Sequence, residues 1–207
     1  MRDDVAVILM DEPMTVIDPQ LKFHLRRKLK DISARHGQTL VYVTHDQNEA
    51  MTLAEQVIVM DNGRITQIGT PQELFENPSH TQVGYFIGSP SMNFLKANLV
   101  AGQVRVGTHV IETPFVPGPQ PADTVLGIRP EFVHIVDAGA AGEIVAVTRD
   151  VQDFGPFHVV TAKLPSGETV RVKTQFVHVR IGERVGLSFE RDAICLFSDD
   201  KRLVESA

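Results

Sequence analysis

Apolar residues follow two different rhythms along this chain, and the change between them falls near residue 90. In the first part, Val5 to Met10 is an uninterrupted apolar run, the pattern of a strand covered on both faces in a parallel sheet. Asp18 followed by Pro19 is a helix start, and Leu21, Leu25, Leu29 and Ile32 mark one face of a predicted helix that reaches Gly37. Thr39 to Val43 predicts a second buried strand, Asp46 opens a helix through Ala54, and Gln56 to Met60 predicts a third strand. Asp61-Asn62-Gly63 turns the chain into Arg64 to Ile68, because Asn and Gly tolerate positive φ. Thr70, Pro71 and Glu73 spell a capping box ahead of Leu74 and Phe75. Strand, helix, strand, helix, strand is the order of an α/β layer.

Beyond residue 90 the period shortens. β-like stretches run over Val104 to Ile111, Thr124 to Ile128, Glu143 to Thr148, Phe157 to Lys163, Thr169 to Lys173, Arg184 to Phe189 and Ala193 to Phe197. Val170 and Val172 alternate with Arg171 and Lys173, as on a half-exposed strand, and Pro165-Ser166-Gly167 supplies a hairpin turn. Pro114, Pro117, Pro119 and Pro121 concentrate into a rigid loop. Many short strands with turn-rich joints predict a small barrel of OB-like arrangement, whose closure removes open sheet edges. The expected division is therefore residues 1–90 as an α/β part and residues 91–207 as a β part.

Composition narrows the function. The 207 residues are 43% hydrophobic, enough for a packed core, and carry a formal charge of -6. Residues 1–90 hold 8 basic and 12 acidic side chains, and the remainder 12 and 14. Neither half has the positive field that a phosphate backbone demands, so nucleic acid is not an expected partner. The basic cluster Arg26, Arg27, Lys28 and Lys30 lies on the predicted helix and reads as a solvated face. Cys195 is the single cysteine, which excludes an intrachain disulfide. His158 and His178 stand in separate β-like regions without a Cys/His ligand set. No run of about 18 apolar residues occurs, so any relation to a membrane is expected to pass through a partner.

The candidate chemistry sits in the first part. Asp11 and Glu12 stand where an apolar strand ends, the usual place for ligands in an open α/β sheet. Asp11 could hold a magnesium ion through a water, and Glu12 could take the proton of an attacking water. An isolated Asp-Glu pair more often caps a turn; here Thr44-His45-Asp46 also follows a predicted strand, which brings His45 to the same edge. An imidazole there can donate to a phosphate oxygen.

The runs ILMDEP, VYVTHDQNEAMTLAEQVIVMDNGRITQIGTPQELFENP and IGSPSMNFL resemble the second half of ABC-transporter ATP-binding subunits of the sugar, polyol and glycerol-phosphate importer type. The resemblance implies a partial P-loop NTPase core followed by an all-β OB-like accessory (TOBE) domain, to which Leu126-Gly127-Ile128-Arg129-Pro130-Glu131 is similar. It implies Asp11 as the Walker B magnesium carboxylate, Glu12 as catalytic glutamate and His45 as the switch histidine that contacts the γ-phosphate. It implies Asp18 as the D-loop aspartate, a nucleotide-binding residue that works across a dimer. ATP and magnesium are the implied cofactors of the intact parent. The implied partners are a second ATPase subunit, integral membrane permeases and, indirectly, a solute-binding protein, with the chain on the cytoplasmic face of the membrane.

Departures from the family pattern are equally definite. The phosphate-loop pattern G-x-x-x-x-G-K-S/T does not occur, and there is no Gly-Gly pair from which an LSGGQ-like signature could be built. Met14-Thr15-Val16-Ile17 replaces the usual small polar approach to the D-loop aspartate. The chain is accordingly expected to be the C-terminal portion of such a subunit, inactive as an ATPase by itself and prone to pair with another copy. A noncatalytic regulatory or assembly module acting through the OB-like domain is the second reading.

Overall fold

Strand β1 (Val7–Asp11) pairs in parallel with β2 (Thr39–Val43), and their registers run from Val7 opposite Thr39 to Asp11 opposite Val43. The structure, a computed structural model, describes residues 6–100, 103–114, 123–138, 143–176 and 178–204. Val5, and the loop prolines Pro117, Pro119 and Pro121, lie outside the described residues.

Helix α1 (Pro19–His36) links the two strands, as a parallel pair requires. Asp18 caps its start by accepting from the Gln20 amide, and Gly37 ends it at φ 59 with its amide bonded to Ala34 and that of Gln38 to Ser33. This left-handed exit is open to glycine at little cost. Leu25, Leu29 and Ile32 lie on the half-buried face, but Leu21 is 57% exposed. The half-buried stripe also takes in Lys22 and Arg26, so Lys22 and not Leu21 begins it.

The expectation that β1 and β2 are covered on both faces is corrected. Val7, Leu9, Val41 and Val43 are all exposed: both strands alternate exposed and half-buried positions, so among the described residues one face of the pair is open. Helix α2 (Gln47–Leu53) follows β2, with Asp46 capping it through the Asn48 and Glu49 amides. Strands β3 (Val57–Asp61) and β4 (Arg64–Gly69) then form an antiparallel hairpin, and Asn62 and Gly63 at φ 46 and 75 make the expected turn. The capping box is also present: the Thr70 amide donates to Glu73, whose own amide donates to the Thr70 hydroxyl, ahead of α3 (Pro71–Glu76).

The chain divides into two compact units, Met1–Glu73 and Leu74–Ala207. In the second, α4 (Thr81–Phe86) precedes β5 (Asn93–Val100), β6 (Gln103–Val106), β7 (His109–Ile111) and β8 (Thr124–Ile128). After a 3-10 turn over Pro130–Phe132 come β9 (Val133–Val136), β10 (Ile144–Asp153), β11 (His158–Lys163), β12 (Thr169–Thr174) and β13 (Arg184–Phe189). Strands β14 (Cys195–Ser198) and β15 (Lys201–Leu203) complete the described chain.

Two sheets result. Strands β12-β11-β10-β13-β9 form one, and its edge strands β12 and β9 approach each other, so the sheet curls toward closure. The other runs β15-β14-β8-β5-β6-β7. Alternate residues of both feed one core that includes Leu95, Leu126, Ile128, Ile144, Val160, Val170, Leu187 and Leu196. Met92, Cys195 and Phe197 form a satellite cluster with Phe94 and Val125. A Cβ on Gly127 would come within 2.8 Å of the Met92 sulfur, so the backbone of β8 passes this cluster where only glycine fits. The β-rich second unit agrees with the expected OB-like architecture.

Arg129, directly after β8, is 2% exposed, and its hydrogen bonds are made to backbone carbonyls. Its guanidinium donates to the carbonyls of Phe75, Ile87 and Leu74 and stacks 4.0 Å over the Phe75 ring. These carbonyls lie at the ends of α3 and α4, where helices leave acceptors without internal partners. Burial lowers the Arg129 pKa to about 10, still far above neutrality, so the group remains charged.

Candidate functional site

Parallel pairing in register puts the ends of β1 and β2 side by side, and the two sequence motifs leave the sheet there together. The Glu12 amide bonds to the Val43 carbonyl at 2.9 Å, which extends the ladder one step past the strand. Glu12 then takes φ 46, a left-handed conformation that L residues other than Asn and Asp seldom adopt. This turn swings its side chain toward the next strand's exit. Glu12 Oε1 lies 2.6 Å from His45 Nδ1 and accepts from the His45 amide at 3.1 Å. Glu12 Oε2 accepts from the Thr15 hydroxyl at 3.0 Å.

The contact fixes the histidine's proton. An ionised carboxylate only accepts, so Nδ1 carries the hydrogen and Nε2 is left facing away from the pair. The His45 hydrogen bond holds the Glu12 carboxyl below its ordinary value of 4.5, with the Thr15 hydroxyl adding to the effect against partial desolvation. The same bond, with the charge of Glu12, raises His45 above 6.5. The His45 side chain is 76% exposed, so Nε2 can reach a ligand from solvent.

The other predicted residues are placed differently. Asp11 ends β1 beside Val43 and is exposed. Asp18 is engaged as the cap of α1, its Oδ1 2.9 Å from the Gln20 amide. Among the described residues, no three His, Cys, Asp or Glu side chains are grouped to hold a metal ion. No described helix is long and apolar enough to cross a membrane.

Several participants escape sequence reasoning. Thr15 lies in the stretch that departs from the family pattern, yet it is the hydroxyl that steadies Glu12. Lys22, Tyr42 and Glu49 form a polar cluster behind the His45 loop. The one available signal for Glu49 was its place three residues after Asp46, which suggests a capping box; the structure instead turns its side chain inward, to 3% exposure.

Comparison with known proteins gives a consistent picture. The TOBE domain model matches residues 126–197, and the MalK OB fold domain model matches residues 88–133. An uncharacterised ABC transporter ATP-binding protein of Sinorhizobium fredii is 37% identical over 199 residues, covering 94% of this chain and 53% of the relative. An sn-glycerol-3-phosphate import ATP-binding protein of Vibrio vulnificus is 35% identical over 208 residues, covering 99% and 56%. A trehalose import ATP-binding protein of Mycobacterium tuberculosis is 37% identical over 228 residues, covering 93% and 58%. The chain thus spans 53–58% of the length of these three relatives.

Proposed function

This chain belongs to the family of ABC-transporter ATP-binding proteins, and from that membership we propose that it serves in the ATP-hydrolysing subunit that energises solute import. The substrate class is a sugar, polyol or glycerol phosphate, as the names of the relatives suggest. In this reading a second ATPase subunit completes the nucleotide sites, membrane permeases receive the conformational change, and a solute-binding protein delivers the cargo. The permeases hold the subunit on the cytoplasmic face. A functional border at residue 90 separates the ATPase part from an accessory part that contacts subunits or regulators.

The observation that carries the reading is the Glu12–His45 contact at the paired strand ends. With Nδ1 committed to Glu12, His45 can donate to a phosphate oxygen only from a protonated Nε2, and the raised pKa of the ring favours that form. Glu12, held ionised, is a weak proton acceptor while bonded to His45 and Thr15. Its service as general base therefore requires that it exchange the His45 bond for a water. The pair is in this sense a resting arrangement, which must open before Glu12 can take a proton.

Asp11 fits the part of a magnesium residue in one respect only. Magnesium keeps most of its waters and takes one or two carboxylates together with phosphate oxygens, so Asp11 would hold it through a water and could not hold it alone. The ion supplies charge neutralisation on the phosphates. Asp18 caps α1 through Oδ1, so it is the second carboxylate oxygen that would meet nucleotide across the dimer.

The test is magnesium-dependent phosphate release from three proteins: this chain, its fusion to the phosphate-loop half of a relative, and that fusion carrying Glu12→Gln. The chain alone is expected to show no turnover, because no amide cradle or lysine for the phosphates is present in its sequence. The fusion is expected to hydrolyse ATP, and Glu12→Gln to lower the rate by about 10²–10⁴-fold while retaining nucleotide binding. Equal turnover with and without Glu12→Gln rejects the general-base assignment. Activity in the unfused chain rejects the need for an added phosphate loop.

A further inference from the structure

Behind the His45 loop lies a buried carboxylate that the chemistry above does not use. Glu49 stands in the first turn of α2 with its side chain 3% exposed. Its Oε2 accepts from the Tyr42 hydroxyl at 2.7 Å and from the Thr44 hydroxyl at 3.1 Å, while Oε1 accepts from Lys22 Nζ at 3.0 Å. Burial works to raise its pKa, but the bonds from Tyr42, Lys22 and Thr44 together prevail and hold it below 4.5, so it is ionised.

The three donors come from three segments. Lys22 is on α1, in the turn that Asp18 caps; its amide bonds to the Asp18 carbonyl at 3.0 Å. Tyr42 is on β2, and Thr44 immediately precedes His45. Thr44 also accepts from the Asp46 amide at 3.0 Å, and Asp46 in turn caps α2. The His45 backbone is thereby clamped on both sides, with its own amide on Glu12 in front. Holding α2 on the sheet would need no charge, since an apolar side chain packs as well and avoids the desolvation cost. An ionised carboxylate adds defined directions, which fix the angle at which the chain leaves β2.

We propose that Glu49 is the positioning residue for His45: through Thr44 and Tyr42 it sets the path of the His45 loop, and through Lys22 it ties that path to the helix that begins at Asp18. The proposal rests on the functional reading of His45 for its significance, but its test does not require nucleotide.

The test compares the unmodified chain with Glu49→Gln and with the double variant Glu49→Gln, Lys22→Met. Glutamine can still accept from the two hydroxyls, but its amide donors then oppose the Lys22 ammonium; replacing Lys22 by methionine removes that conflict. The readouts are amide hydrogen exchange at His45 and Asp46, the nitrogen signals of the His45 ring, and exchange in Val57–Asp61 as a control for folding of the same unit. Glu49→Gln is expected to speed exchange at His45 and Asp46 by about tenfold and to move the ring signals to those of a histidine without a carboxylate partner, leaving Val57–Asp61 protected. The double variant is expected to recover both readouts in part, because the acceptor for the Tyr42 and Thr44 hydroxyls is kept while the tie to α1 is lost. Unchanged His45 signals in Glu49→Gln, equal loss of protection at Val57–Asp61, or no recovery in the double variant would each overturn the proposal. ATP turnover by the fusion protein tests the functional reading separately.

Discussion

His45 gives one ring nitrogen to Glu12 and keeps the other for a ligand, and this asymmetry has a pH signature. The raised His45 pKa contributes stability that is fully present below 6.5 and is lost as pH rises through the raised value. The lowered Glu12 pKa contributes stability present above 4.5 and lost as pH falls through the depressed value. The pair is therefore intact between the two shifted values and weakens on either side. Histidine titration by NMR is expected to give His45 a midpoint above 6.5, and Glu12→Gln to bring it down; a midpoint at or below 6.5 in the unmodified chain would contradict the contact. At this scale the strand-end motifs were legible because a parallel strand pair sends both exits to one edge. The turn of Glu12 into left-handed φ was not legible, since nothing in Asp11-Glu12-Pro13 demands it. Nor was the Thr15 hydroxyl, which reaches Glu12 through a turn and not through periodicity.

Among the elements, those governed by local rules were the readable ones. Caps at Asp18, Asp46 and Thr70 and the Asn62-Gly63 turn depend on residues within a few positions of each other, so their chemistry is written contiguously. Strand β5 was not anticipated, and the structure buries Asn93 at its start and uses its side chain as a substitute strand edge. Its amide and carbonyl bond to the Arg171 backbone at 2.8 Å each. The stretch from Val104 to Ile111 is likewise two strands, because Gly107 turns at φ 58 in its middle. Helix α4 has no marked periodicity and is held by Arg129 through Ile87. That guanidinium carries an element-level prediction. Arg129→Lys keeps the charge but offers no planar fork, leaving at least one helix-end carbonyl without a donor and the Phe75 stack lost. It is expected to destabilise the second unit by about 2–4 kcal/mol in urea unfolding, as a buried unpaired group costs roughly 1–3 kcal/mol. A change below about 0.5 kcal/mol, the usual range of a surface substitution, would show that Arg129 does not hold these ends.

At the scale of the molecule, the two units differ in how they are filled. The first buries few of its apolar strand residues, while the second gathers nearly all of its alternating positions into one core. Residues 74–207 alone are accordingly expected to fold, giving a dispersed amide spectrum and a single cooperative melting transition; a collapsed spectrum would show that this core depends on residues 1–73. The change of rhythm that separates sheet types was visible in the sequence, but the pairing order was not, since it depends on which distant strands meet. That order has a consequence for biosynthesis. Strand β8 lies between β5 and β14, and Gly127 pairs with Phe94 on one side and Cys195 on the other. As the chain leaves the ribosome, Thr124 to Ile128 can be flanked on one side early but must wait for residues 195–198 on the other. Throughout that interval a nascent chain carries an unpaired apolar strand edge. A ribosome that stalls within it leaves that edge open to a neighbouring chain, so the hazard of aggregation is concentrated in one stretch of translation.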